Sequence, residues 1–235
     1  MNWEKFKNKF HPSWHKHMKT FIESNECNEI YKFLKMESER GKSITPSSTN
    51  LYRPFLETPL NDIKCIILGD TPYLGEFDGV PVADGFLLSC GVTNKILPAL
   101  SNFYMGIEME LHNGLNLSYY ESPNVDHLAE QGVLMLNTSL TTESSNSKAH
   151  TKLWIPFIEY LIKNVFTITN VPIILLGDAS RFKECCTFQY LELEHPKNVN
   201  KGSTWDTKGV FTKVNKIIKE NNNFKIKWLY DDVPF

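Results

Sequence analysis

Four short apolar runs punctuate the chain, and each stops at a polar group: Ile66–Leu68 at Gly69-Asp70, Val133–Leu136 at Asn137, Ile173–Leu176 at Gly177-Asp178, and Tyr190–Leu193 at Glu194-His195. Runs of this length with abrupt ends read as strands buried on both faces, as in a parallel sheet. Between them the period becomes helical. Trp14, Met18, Phe21 and Ile22, then Ile30, Phe33, Leu34 and Met36, give the first 45 residues a helical pattern. The segment Ser43–Asn50, rich in Ser, Thr and Pro, breaks it. Strands are expected at Lys64–Leu68 and Gln189–Leu193 as well as at the two central runs. Helices are expected over Ile96–Leu111, over Leu153–Val165, from Ala179, and over Lys208–Lys219. Pro98 falls in the first turn of its helix, where a missing N–H costs little. Alternating strands and helices predict an α/β fold with a central four-stranded, mostly parallel sheet flanked by helices. No repeat, low-complexity linker or shift in composition divides residues 1–235, so a single domain is expected, with a helical N-terminal part (1–45) and an acidic tail (229–235).

In an open sheet of this kind, ligands bind beyond the carboxyl ends of the strands. The predicted strand ends would bring Asp70, Tyr73, Asn137 and His195 to one edge and so build a pocket. Composition changes this picture little. The 235 residues are 41% hydrophobic and 22% charged with a net charge of −2, as in an ordinary globular protein with no bulk attraction for nucleic acid. An enzyme that visits DNA briefly can use a local patch and backbone N–H groups instead. No apolar run nears the roughly 20 residues that span a bilayer, and the N-terminal residues lack a secretory apolar core. The five cysteines show no CxxC spacing, so no metal centre is expected and reduced thiols in a cytoplasmic compartment are. Abundant Lys, Asn and Ile suggest an AT-rich source, viral or bacterial.

Longer motifs sharpen the reading. "LAEQGVLMLNTSLTT" (Leu128 to Thr142) is similar to "RQGVLLLNTVLTV" of uracil-DNA glycosylase of the main, family 1 type. "ILPALSNFY" (Ile96 to Tyr104) resembles that family's Pro-rich DNA loop, and "ITPSSTNLYRPFLETPLNDIKCIILG" (Ile44 to Gly69) its approach to the first strand. The order and spacing of the blocks match as well, over roughly residues 14 to 228. The resemblance implies an enzyme that flips a deoxyuridine out of DNA and hydrolyses its glycosidic bond without a cofactor, acting as a monomer with DNA as its partner. Cleavage leaves a cation-like sugar and an anionic base. The pocket therefore needs negative charge near the sugar, donors near the base oxygens and a positioned water.

Carried onto this chain, the resemblance makes Asn137 the reader of the uracil edge, since its amide both donates and accepts; the bland alternative is a turn-forming Asn. His195 would donate to the base oxygen that gains charge, and Tyr73 would fill the space beside C5 and exclude thymine. The family's "GQDPYHG" is "GDTPYLG" here: Thr71 stands where the water-activating aspartate is expected, Asp70 lies one place early, and Leu74 replaces a histidine. Asp70 or Thr71 would position water, with Asp78 and Asp84 as substitutes. The base-stacking Phe aligns with Leu88, while Phe86, two residues earlier on the same side of an expected strand, is the other candidate to cover the ring. Ser89, Pro98, His150, Lys197 and Val199 fall at the family's DNA-contacting positions; Lys201 adds charge, and Ala99 removes a serine. Val199 would be the plug that fills the vacated stack. The terminal "DDVPF" resembles the acidic tip of single-stranded-DNA-binding protein and implies a protein partner with a basic, apolar-floored pocket; a solvated tail is the plain alternative. Three other readings stay open: a non-enzymatic DNA-binding or replication-accessory module on the same fold, a glycosylase for a modified base, and a generic nucleotide-binding domain.

Overall fold

A computed structural model describes residues 2–90, 92–93, 95–114 and 122–229 of the chain; the "DDVPF" segment lies outside the described residues. Strands β1 (Cys65–Gly69), β2 (Val133–Asn137), β3 (Ile173–Leu176) and β4 (Tyr190–Leu193) form one sheet in the order β2-β1-β3-β4, and every neighbouring pair is parallel. All residues of β1, β2 and β3 are buried, whereas β4 is an edge strand with Tyr190 and Glu192 exposed.

The period-two alternation of these strands divides the core. Ile66, Leu68, Leu134, Leu136, Ile173 and Leu175 point to one face, where they pack with Trp14, Met18, Phe21, Phe55, Trp154 and Phe157. That face is covered by α1 (His15–Ile22), α2 (Asn25–Glu39) and α4 (Ile155–Leu161). Cys65, Ile67, Val133, Met135, Ile174 and Leu176 point to the other face, against Leu100, Phe103 and Ile107 of α3 (Pro98–His112) and Phe211 and Val214 of α5 (Val210–Asn222). The helices begin and end where local chemistry dictates. The Ser24 hydroxyl accepts from the Cys27 N–H (3.2 Å) to cap α2, Pro98 opens α3, and Asn113, Asn170 and Asn223 end helical segments in the left-handed conformation. The helix expected over Leu153–Val165 runs as α4 and then widens into a π turn at Ile162–Phe166. The helix expected from Ala179 is a 3-10 helix over Gly177–Cys185.

Two small additions frame the strand ends. Ile44–Thr45 pairs antiparallel with Thr142–Glu143, tying the N-terminal part to the loop after β2. Glu76–Phe77 and Val80–Pro81 form an exposed hairpin whose turn, Asp78-Gly79, has positive φ at both residues, as a tight two-residue turn requires.

The segment after that hairpin is held by one arginine. Arg53 donates to Glu57 (2.6 Å), Asp84 (3.0 Å) and Asp126 (2.8 Å), and its guanidinium carbon sits 5.0 Å from the centre of the Phe86 ring. Asp84 is 3% exposed and also accepts from the Ser89 hydroxyl (2.6 Å) and the Phe86 N–H (3.3 Å). Removing Arg53 strands that buried carboxylate. Arg53→Met is therefore expected to destabilise the fold by about 3 kcal/mol, read as a lower urea midpoint at unchanged slope; a variant within 1 kcal/mol of wild type would show that the arginine is only a surface partner.

Candidate active site

The segments that follow β1 and β4 meet around a chamber of about 280 Å³ lined by Thr71, Tyr73, Leu88, Ala99, Ser147 and His195, among others. Each residue arrives by a simple route. Thr71 and Tyr73 follow β1, where Pro72 prevents the strand from continuing in the ladder. His195 follows β4 and opens the 3-10 turn Pro196–Asn198, which the Asn102 side chain of α3 fastens by donating to the Pro196 carbonyl (2.9 Å).

His195 is 4% exposed, and its Nδ1 accepts from the Lys197 backbone N–H (3.1 Å). A backbone N–H can only donate, so Nδ1 carries no proton and the neutral ring carries its proton on Nε2. Burial pushes the imidazole down to about 4, with Asp70 opposing and Lys197 adding to the shift. His195 is thus a neutral donor across the physiological range. The depression also links to stability: the contribution of the neutral ring is complete above the ordinary value of 6.5 and is lost as pH falls toward about 4.

Asn137 ends β2 directly beside Gly69 of β1 and is 2% exposed. Its amide oxygen is buried without a hydrogen-bond partner among the described residues. A buried acceptor left unmade costs about 1–3 kcal/mol, which marks the group as kept for something other than the fold. Asn137 is not among the residues lining the chamber; it pairs with Gly69, two residues before Thr71 on the chamber wall. Tyr73 is half-buried, and burial holds its hydroxyl proton well above the ordinary phenol range.

Asp70 and Thr71 both border a small pocket with Ser147, Lys148 and Asp178, and each also borders a larger space. Thr71 lines the chamber, whereas Asp70 lines a neighbouring polar cavity of about 730 Å³ with Asp178, Glu194 and Lys208. The Asp70 carboxylate accepts from the Asp178 N–H (2.9 Å) and is ion-paired with Lys197. Gly177 makes this approach feasible: at φ +56 a side-chain carbon there would stand 2.8 Å from the His195 Cβ and 3.2 Å from the Asp70 carboxylate.

Several expected positions lie elsewhere. Phe86 and Leu88 do not share a strand, because residues 86–88 form a turn in which Leu88 takes φ +63. The Phe86 ring packs under Arg53, outside the lining of the chamber, and Leu88 is the one of the pair that lines it. The bound, buried Asp84 is not placed to act on water, and Asp78 sits on the exposed hairpin. Ser89 is fully buried on Asp84, so its hydroxyl is turned away from any phosphate. His150, expected at the DNA face, is 1% exposed; its Nδ1 lies 2.9 Å from the Thr141 hydroxyl and Phe33 meets its ring edge-on. Pro98 is exposed at the start of α3. Val199 packs partly against the core instead of projecting. Lys197 is half-exposed and committed to Asp70. Ser147 on the chamber wall and Leu87, whose side chain fills the place of a Gly69 Cβ, went unread in the sequence; both depend on contacts between distant segments.

No family model matches the chain. It is 30% identical over 226 residues to a uracil-DNA glycosylase of Pseudomonas fluorescens, covering 94% of this chain and 95% of that protein. A uracil-DNA glycosylase of Aliivibrio salmonicida is also 30% identical, over 92% of this chain and 96% of that one. Among solved structures, mimivirus uracil-DNA glycosylase superimposes with a TM-score of 0.81 at 20% identity, over 97% of this chain and 89% of its own.

Proposed function

Because the chain belongs to the uracil-DNA glycosylase family, we propose that it carries out uracil excision with a site rearranged around Thr71. The reaction is hydrolysis of the N-glycosidic bond of deoxyuridine in DNA: a water oxygen bonds to C1′, the C1′–N1 bond breaks, and uracil leaves as an anion before taking up a proton. In this reading the deoxyuridine base enters the 280 Å³ chamber. Asn137 pairs with the uracil edge, Tyr73 fills the space a C5 methyl would need, and Leu88 covers the ring with an aliphatic face. Thr71 holds the water by its hydroxyl. The exposed Pro98 end of α3 meets the phosphates.

The observation that carries the reading is His195. A neutral imidazole with its tautomer fixed by the Lys197 N–H keeps one donor, Nε2–H, on a residue that lines the chamber. A donor of this kind favours the leaving base as its oxygen gains charge, and does so without a proton having to move.

Base release from single-stranded oligonucleotides carrying one deoxyuridine tests the reading. Uracil is expected to be released and thymine from a matched oligonucleotide is not. The rate is expected to hold as pH drops through 6.5 and to fall only toward about 4, because the active form of His195 is the unprotonated ring. Absence of release, or a loss of rate centred near 6.5 that His195→Gln abolishes, would overturn it.

A further inference from the structure

Three groups that the glycosylase chemistry does not use converge near the end of α2. Glu37 lies in the last turn of α2, Glu143 in the short strand paired with Ile44–Thr45, and His150 follows in the same loop. One oxygen of each glutamate and one ring nitrogen of His150 all lie within 4.8 Å of one another. Glu37 is 8% exposed and His150 1%. The Nδ1 of His150 is already engaged with the Thr141 hydroxyl (2.9 Å), which leaves Nε2, and Nε2 is buried with no hydrogen-bond partner. The imidazole therefore stands close to two carboxylates yet bonds to neither.

We propose that Glu37, Glu143 and His150 form a binding site for one divalent transition-metal ion, of the class represented by Zn²⁺. Two carboxylate oxygens and one imidazole nitrogen are a donor set that such an ion takes, completed by a water, whereas Mg²⁺ and Ca²⁺ favour oxygen alone. Ligand atoms bound at roughly 2.0–2.2 Å from a common centre are held about 3–4 Å apart. The three ligand atoms lie within 4.8 Å of one another, within reach of that spacing by small side-chain movements. A supporting contact behind the histidine is also in place. The Thr141 oxygen accepts from Trp154 Nε1 (2.7 Å) and can accept from His150 Nδ1–H, which orients the ring and frees the Nε2 lone pair.

Charge at the site permits entry. Glu37 is paired with Arg40 (3.1 Å) and Glu143 with Lys42 (3.0 Å). Both cations are half or more exposed and can swing into solvent as the metal arrives. The consequence is structural. The ion would tie the last turn of α2 to residues 142–152, the loop that carries Ser147 to the chamber and Lys148 to the adjoining cavity.

The test is calorimetric titration of the full-length, chelator-treated protein with Zn²⁺, with Co²⁺ as a visible-absorption probe and Mg²⁺ as control. Because Cys185 and Cys186 are only partly buried, a Cys185→Ser, Cys186→Ser background removes a competing thiol site. One equivalent of Zn²⁺ is expected to bind and, at about 100-fold excess over its Kd, to raise Tm by roughly 5–10 °C. Binding and the Tm rise are expected to vanish in Glu37→Gln, Glu143→Gln and His150→Gln, each checked for an unchanged far-ultraviolet spectrum without metal. Stoichiometric binding that survives all three substitutions, or no binding to the unsubstituted background, overturns the proposal. If one variant fails to fold, the other two decide. None of these outcomes depends on glycosylase activity.

Discussion

Asn137→Ala is expected to lower uracil release by about 10³-fold, measured as single-turnover base release at saturating enzyme. The argument starts from burial. The Asn137 side chain is enclosed at the end of β2, and its amide oxygen has no hydrogen-bond partner among the described residues. In the bound state that oxygen can accept from the uracil N3–H while the NH₂ group donates to the neighbouring carbonyl, a pair of contacts that fixes the base edge. Alanine removes both and leaves the buried base polar groups unpaired, a loss that sites built for hydrogen bonding punish far more than the loss of a methylene. The same orphaned oxygen makes the test clean. No hydrogen bond to it from the described residues is lost on substitution, so Tm is expected to stay within a few degrees of wild type while activity collapses. A variant that keeps a tenth or more of wild-type activity would remove Asn137 from the reading role.

What could be read from the sequence followed from periodicity. The strands Val133–Asn137 and Ile173–Leu176 are continuous apolar runs because helices cover both faces, and the polar residue that halts each run lies at the carboxyl edge where the site forms. Asn137 and His195 were legible for that reason, whereas Thr71 was singled out only by the resemblance. Arg53 was not. Its partners Asp84 and Asp126 are 31 and 73 residues away, and no local pattern announces a contact of that range. The same holds for Phe86, whose alternation with Leu88 suggested a strand. Gly85, at φ +102 and tight against the Asn50 carbonyl, turns the segment toward Arg53 instead. His150 misled in the other direction: the resemblance placed it at the DNA face, whereas contacts with distant residues such as Phe33 make it one of the most buried polar groups. The uniformly apolar strands carry their own structural signal; the polar side chains at the site take their meaning from partners far away in the chain.

The second large effect is a gain. Thr71→Asp is expected to raise the rate of uracil release by about 10²-fold. Among the described residues that line the chamber there is no carboxylate. Departure of the base leaves positive charge on the sugar, and a hydroxyl at Thr71 can orient water but brings no charge to oppose it. Asp70, the nearest acid along the chain, is bound to Lys197 and to the Asp178 N–H and faces the adjoining cavity. Placing the carboxylate one residue later, on the chamber side of the extended segment, supplies about 2.7 kcal/mol of transition-state stabilisation if it recovers one electrostatic contact of the usual strength. Asp70→Asn is the companion measurement, because it separates two accounts of the wild type. If Asp70 is only an anchor for the loop that presents His195 and Lys197, its amide variant loses less than about 10-fold, and Thr71→Asp still gains in that background. If Asp70 swings across to serve the water, Asp70→Asn loses 10² or more and Thr71→Asp restores it. A folded Thr71→Asp protein no faster than wild type, with Asp70→Asn silent, would instead mean that charge near the sugar does not limit this enzyme and that the departure at Thr71 is no handicap.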